Sequence, residues 1–556
     1  MKKRTIQLAI LLFVPFIALR AQVIKKEVYV VSSYKPEVAD ADKISNLPAM
    51  NDTSTFNLKA DYTVLPSHLK TTYNLRPIKA ATMMGLPLDK LYKSYLNVGI
   101  GNYTTPLIEY SIHNLRSKEY AIGAYLFHKS SYSNLDLVKG YTVPAGYGVN
   151  NLKLYGKYFL KNATWSGDLG VNTHRLRYYG GNIDDTAIYK SFRNIETSAI
   201  KQTFTNYFAE TSIYSTDADS ASLRYSFGLG GEYFKDHFSN KEPHFNLNAS
   251  IGKIVKGFLL GIDGVYDNYT LTDSSKSYNN DILTLQPFAE KRTELWDVKL
   301  ALKLFIQDSI SIYPDLNFRF QVIPKALITY FGVNTFIENN NYHAITNENP
   351  YVLPGIHVNN SLHQYVIYGG LEGQLSSKAG YHFDVRLDNI QNMHFFVKDT
   401  ISTYENHFDV VYDNVTLIKY FGEISWKPES NITILLKSNY YSYKLNNDYR
   451  QTPEKKPWQL ANYDMTLALR YNFKEKIFAE FEYLYIGKRL AKNINDAKNP
   501  YELKPVNDLN LKIEYKYSNT FCAYLHFYNL LSQKYELWNQ YPTQTLNVLL
   551  GVTYKF

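Results

Sequence analysis

The chain is nearly without cysteine: Cys522 is the only one in 556 residues. One thiol cannot pair within its own chain, so no disulfide scaffold is built. Long hydrophobic runs are missing too. The apolar stretch Leu8–Leu19 stops after 12 residues, short of the roughly 20 that a membrane-spanning helix needs. An excess of one charge is also lacking, with 60 Lys and Arg against 51 Asp and Glu. Aromatics are abundant instead, with 51 Tyr, 30 Phe and 5 Trp. Disordered chains lack such residues. Mean hydropathy is nevertheless −0.32. These facts leave a large β-rich protein, either a soluble multi-blade fold or a membrane barrel.

The N-terminus reads as a secretory signal. Lys2, Lys3 and Arg4 precede the apolar run, and Ala21 closes a small-residue site before Gln22. Residues 1–21 hold four positive charges (Lys2, Lys3, Arg4, Arg20) and no negative one, so their removal takes the net charge from +9 to +5. That is no nucleic-acid signature, and nucleic acid is excluded as a partner. Residues 22–90 read as a periplasmic or lumenal leader, interrupted by Pro48, Pro66 and Pro77.

From residue 91 to 556 the period is two. Trp296, Val298, Leu300, Leu302 and Leu304 alternate with Asp297, Lys299, Ala301 and Lys303. Leu509, Leu511, Ile513 and Tyr515 alternate with Asn510, Lys512, Glu514 and Lys516. Such alternation marks strands with one apolar and one polar face. The runs are about ten residues long, which suits membrane-spanning strands better than globular ones. Tyrosine clusters at Tyr178 and Tyr179, Tyr440 to Tyr443, Tyr483 and Tyr485, and Tyr515 and Tyr517 fit aromatic girdles at the membrane interfaces.

Connections fall into two alternating classes. Tight turns such as Lys161-Asn162, Val255-Lys256-Gly257 and Lys474-Glu475-Lys476 alternate with longer ones, among them 130–149, 175–199, 337–361, 388–412 and 530–544. Short periplasmic turns and longer extracellular loops produce this parity. The fold expected is an all-β, transmembrane antiparallel barrel of about 22 strands (range 18–22).

Little catalytic chemistry is visible. There is no HExxH, GxSxG or P-loop, so no enzymatic activity, cofactor or metal is expected. Lys153, Lys157, Asp297, Lys299, Lys303, Lys512, Glu514 and Lys516 fall on the polar, lumen-facing positions. They would line a selective aqueous path or compensate one another inside a wide barrel; mixed signs on neighbouring strands favour compensation.

The ending carries a resemblance. Asn529-Leu530-Leu531, Lys534-Tyr535, Trp538 and Tyr541-Pro542 precede a strand that finishes Gly551-Val-Thr-Tyr554-Lys-Phe556. This pattern resembles the final hairpin of TonB-dependent receptors, and a looser likeness covers residues 90–556. The resemblance implies a 22-stranded barrel in a Gram-negative outer membrane. It also implies that Tyr554 and Phe556 form the signal read by the barrel-assembly machinery. Receptors of this family carry a plug domain before the barrel, and residues 22–90 are too few for one. Glu27-Val28-Tyr29-Val30-Val31 resembles a TonB box, which a partner would capture by β-augmentation; the plainer reading is a short β segment of the leader. The function expected is receptor-like admission of a solute across the outer membrane, with outer-membrane lipid and TonB or a membrane-complex partner as partners. The alternative is an accessory scaffold barrel in a membrane complex.

Overall fold

The computed structural model describes residues 90–556 apart from 137–141, 182–195, 197, 217–222, 274–275, 308, 403, 447–455, 494–495 and 497–498. The signal, residues 22–89 of the leader and the box-like segment Glu27–Val31 lie outside the described residues.

Twenty-two strands, from Ser94–Gly101 to Asn547–Lys555, form one antiparallel sheet in which each pairs with its neighbour along the chain. The sheet closes where Ser94–Gly101 pairs with Asn547–Lys555 as well as with Thr105–His113. At that seam Ser94 N donates to the Phe556 carbonyl at 2.8 Å and Phe556 N returns the bond at 3.0 Å. Closure removes free edges, which a sheet in hydrocarbon cannot leave unpaired.

Alternation explains which face meets lipid. Along Trp296–Ile306, Leu300 and Leu302 are about half exposed on the outside, while Lys299 and Lys303 share the other face. Outward aromatics ring the short-turn end, where Trp296, Trp426, Tyr515, Tyr517 and Tyr554 project. There the Lys291 ammonium stands 4.8 Å from the Phe258 ring centre and 5.5 Å from that of Trp296. Amphipathic rings and long cations suit a membrane interface.

The tight turns follow from backbone chemistry. Val255 pairs with Phe258, so Lys256-Gly257 is a two-residue hairpin. Its φ values of +51° and +80° are those of a turn whose twist matches the flanking strands. At the other end the strands differ in reach. Ala379–Lys398 runs for 20 residues and Phe408–Trp426 for 19, whereas Ser94–Gly101 has eight.

Three expectations need correction. The stretch 388–412 is mostly strand, with only a short connection between Lys398 and Phe408. Apolar residues on both faces, among them Ile390, Phe395 and Phe396, let this hairpin continue beyond the membrane. Residues 337–361 contain a helix, Tyr342–Glu348, capped by the Asn341 side chain on Ala344 N. Tyr178 and Tyr179 are buried rather than interfacial.

Candidate functional site

The lumen wall is a network of paired charges. Lys153 Nζ stands 2.9 Å from Asp168, and Lys512 Nζ stands 2.9 Å from Glu480, which also takes Arg470 at 2.7 Å. Lys303 Nζ reaches Asp315 at 3.2 Å, Asn334 Oδ1 at 2.6 Å and the Thr335 carbonyl at 2.9 Å. Glu514 faces His526 at 3.8 Å. Lys299 covers the Phe288 ring at 5.2 Å. Asp297 lies in register with Arg292 and Arg319, whose guanidiniums pair with Glu290 and Glu372. Lys157 and Lys516 sit near the short-turn end, opposite Ser166 and Cys522. The structure thus puts the eight residues around the circumference, not at one point.

The long-loop end holds what the sequence did not reveal. Connections from around the barrel contribute to one buried cluster that includes Leu135, Tyr178, Phe204, Phe234, Tyr342, Val352, Phe408 and Tyr541. Tyr351 stacks on Tyr541 with ring centres 3.7 Å apart, and Tyr179 meets Tyr541 edge-on at 4.9 Å. Polar bonds stitch the same seam. Tyr179 OH donates to the Pro542 carbonyl at 2.9 Å, and Tyr541 OH donates to the Asn406 carbonyl. Tyr342 OH donates to Asp236 at 2.8 Å. The Glu242 carboxylate accepts Tyr342 N at 2.7 Å and His343 N at 3.0 Å. A fully buried aromatic ring of about 200 Å² contributes about 5 kcal/mol before chain ordering is subtracted. Several such rings make a cohesive cap across the mouth.

Two basic groups lie inside this cap. Lys398 ends its strand eleven residues beyond Leu387, the last outward residue on it that is more than a third exposed, and is itself buried. Its ammonium stands 4.9 Å from the Phe408 ring centre and 5.0 Å from that of Tyr541, and donates to the Glu405 carbonyl at 3.2 Å. Burial lowers its pKa to about 7. His407 packs edge-on against Tyr178 at 4.2 Å, with neither ring nitrogen bonded among the described residues. Burial lowers its pKa to about 4.

Beneath the cap a cavity of about 360 Å³ opens along the wall. Lys129, His174 and Arg177 line it with the rings of Tyr147, Tyr351 and Tyr528, while Asp508, its one carboxylate among the described residues, is engaged by Tyr535 OH at 2.7 Å. Cation and ring faces together suit an anionic solute with an unsaturated or planar part. The cue in the sequence was the density of tyrosine in the long connections, which read equally well as interfacial.

The architecture defines a class: a closed 22-stranded barrel of the outer-membrane type, lined by polar pairs and covered by its long loops. No family model matches the sequence, and no curated protein matches it. Solved structures do match in fold. The FrpB iron transporter from Neisseria meningitidis (F5-1 variant) superposes with a TM-score of 0.66 at 12% identity, over 84% of this chain and 83% of that one. The siderophore receptor PirA from Acinetobacter baumannii gives 0.64 at 9% identity, over 84% and 81%. The ferric-catecholate import receptor Fiu from K12 E. coli gives 0.61 at 9%, over 84% and 82%. The chain therefore shares the barrel fold of these solved structures.

Proposed function

We propose that this protein is a receptor-like, non-enzymatic barrel that admits a solute across the outer membrane, with the loop-built cap as its outer gate. The observation that carries this reading is the cap itself, a cohesive aromatic core drawn from connections around the mouth of a wide, polar-lined barrel. Barrels of this size enclose a lumen, and a closed lid over a lumen is what regulated entry requires. The fold neighbours, an iron transporter, a siderophore receptor and a ferric-catecholate import receptor, support the same reading. The solute-binding place on this account is the cavity of Lys129, His174 and the three tyrosines. Energy coupling would run through TonB by way of Glu27–Val31, and assembly through Tyr554 and Phe556.

The test is solute flux through purified full-length protein in liposomes, using carboxyfluorescein as an anionic, planar probe. Uptake that saturates and weakens in the Lys129→Ala variant is expected. No flux under any condition, together with constant co-purification of a partner protein, would instead favour the scaffold reading.

A further inference from the structure

Five cations sit on the outward face of the barrel, just beyond its apolar band, on four consecutive strands. Arg175 and Arg177 end Ala163–Arg177, Lys201 opens Lys201–Ser215, Lys235 ends Arg224–Lys235 and Lys241 opens Lys241–Val255. The register places them on one face. Arg177 lies opposite Lys201, Arg175 opposite Thr203, and Lys235 opposite both Thr205 and Lys241. Followed toward the membrane, that face becomes Leu169, Tyr207, Tyr233 and Phe245, each 39–55% exposed. The cations therefore begin two to six residues beyond the lipid-facing side chains of their own strands, at headgroup height.

Among the described residues the cations have no acidic partner. None of the five joins an ion pair among the described residues. The neighbouring carboxylates, Asp236 and Glu242, turn inward and are buried on Asn240 and Tyr342. The patch ends at the outward Asp281, itself held by Tyr266 OH at 2.8 Å and by Asn268. The outward face of Ile310–Ile323, elsewhere on the circumference, is apolar from Ile310 to Val322.

A recess marks the centre of the patch. A notch of about 160 Å³ is lined by Tyr132, Arg175, Arg177 and Lys201 over the bare backbone of Gly146. A Cβ on Gly146 would stand 3.1 Å from Arg177 Nη1 and 2.9 Å from the Ser131 carbonyl. Glycine thus leaves the space in which the guanidinium lies. Two guanidinium forks beside an ammonium match the oxygens of a phosphate.

We propose that this face binds the phosphate-bearing headgroup of a lipid of the outer leaflet, with its acyl chains lying over Leu169, Tyr207, Tyr233 and Phe245. Lys235, whose Nζ stands 5.5 Å from the Tyr207 ring centre, bridges the two zones. The notch meets the solute cavity at the wall, where Gly146, Tyr147 and Arg177 line both, whereas Arg175 and Lys201 line the notch alone.

Native mass spectrometry of the full-length protein in mild detergent tests the proposal. Diphosphoryl lipid A, the same lipid dephosphorylated, and inorganic phosphate are titrated separately. The diphosphorylated lipid should bind at least about tenfold tighter than the dephosphorylated form. Each cation near a membrane surface is worth about fivefold, so the Arg175→Gln/Arg177→Gln/Lys201→Gln variant should weaken binding at least about tenfold. The Arg175→Lys/Arg177→Lys variant, with charge kept, should retain most of it. If the triple variant does not assemble, Arg177→Gln alone should still weaken binding about fivefold. Equal binding of the two lipid forms, unchanged binding in the Gln variants, or binding of inorganic phosphate alone would overturn the proposal.

Discussion

Asn406 Nδ2 donates to the Tyr178 carbonyl at 2.9 Å, although 228 positions separate the two residues. Tyr178 belongs to the connection between the fifth and sixth barrel strands, and Asn406 to that between the fifteenth and sixteenth. Ten strands in a ring of 22 is nearly half the circumference, so this bond crosses the mouth. With Tyr541 stacked on Tyr351 and edge-on to Tyr179, it makes the cap one cooperative unit rather than a set of separate loops.

Tyr541→Ala should therefore loosen the whole cap. Removing a fully buried aromatic costs about 3–5 kcal/mol, and here the loss falls on loops rather than on the sheet. Hydrogen exchange at residues 175–181, 342–358 and 399–407 should accelerate together. Exchange in the strands and the heat-modifiable mobility of the barrel should stay unchanged. Acceleration confined to residues 536–545 would count against a single cooperative cap.

The cap should also loosen as pH falls. Burial holds Lys398 at about 7, below its ordinary 10.5. The open state binds more protons than the closed one between those values, so closure strengthens as pH rises from about 7 to 10.5. His407, lowered from 6.5 to about 4, acts with the same sign between about 4 and 6.5. The buried Glu536, raised by desolvation, has the opposite sign and resists loosening in acid. Lys398→Met should flatten the profile above pH 7 and, by removing a charge that helps lower the His407 pKa, shrink the His407 step without abolishing it. Hydrogen exchange corrected for intrinsic rates would show both.

Single neutralisation of a lumen charge should disturb stability more than selectivity. Lys303 is hydrogen-bonded to Asn334 and Thr335 and paired with Asp315. Lys303→Met leaves Asp315 uncompensated, at a cost of up to about 3–5 kcal/mol if the pair is effectively buried. The more open Lys153–Asp168 pair is worth about 1 kcal/mol or less. Urea unfolding in lipid vesicles should rank Lys303→Met well below Lys153→Met.

The period-two pattern and the loop parity carried nearly all of the barrel, including its 22 strands. These signals are local: alternation needs only neighbouring residues, and a tight turn such as Lys256-Gly257 needs two. The cap was not legible for the opposite reason. Tyr179, Tyr351 and Tyr541 touch across more than 170 positions of chain, and an isolated tyrosine pair looks the same in a girdle as in a core. The long hairpin around 388–412 was misjudged because its upper half is buried on both faces, which erases alternation. The outward patch of Arg175, Lys201 and Lys241 was hidden by register, which single strands do not show.

Energy coupling can be probed in cells. Val28→Pro with Val30→Pro removes two donors from the segment that a periplasmic partner would pair with. Solute-dependent growth should then fall while surface abundance of the barrel stays constant. Unchanged growth would exclude coupling through residues 27–31.

The gate is tested most directly by locking it. The chain has one cysteine, Cys522, so a Cys522→Ala background with Tyr178→Cys and Asn406→Cys accepts a bismaleimide at one pair of sites. Carboxyfluorescein flux through the full-length protein in liposomes is then compared before and after cross-linking. The account predicts flux in the uncross-linked protein and its loss once the two sides of the mouth are joined. Equal flux in the locked and unlocked protein would contradict it.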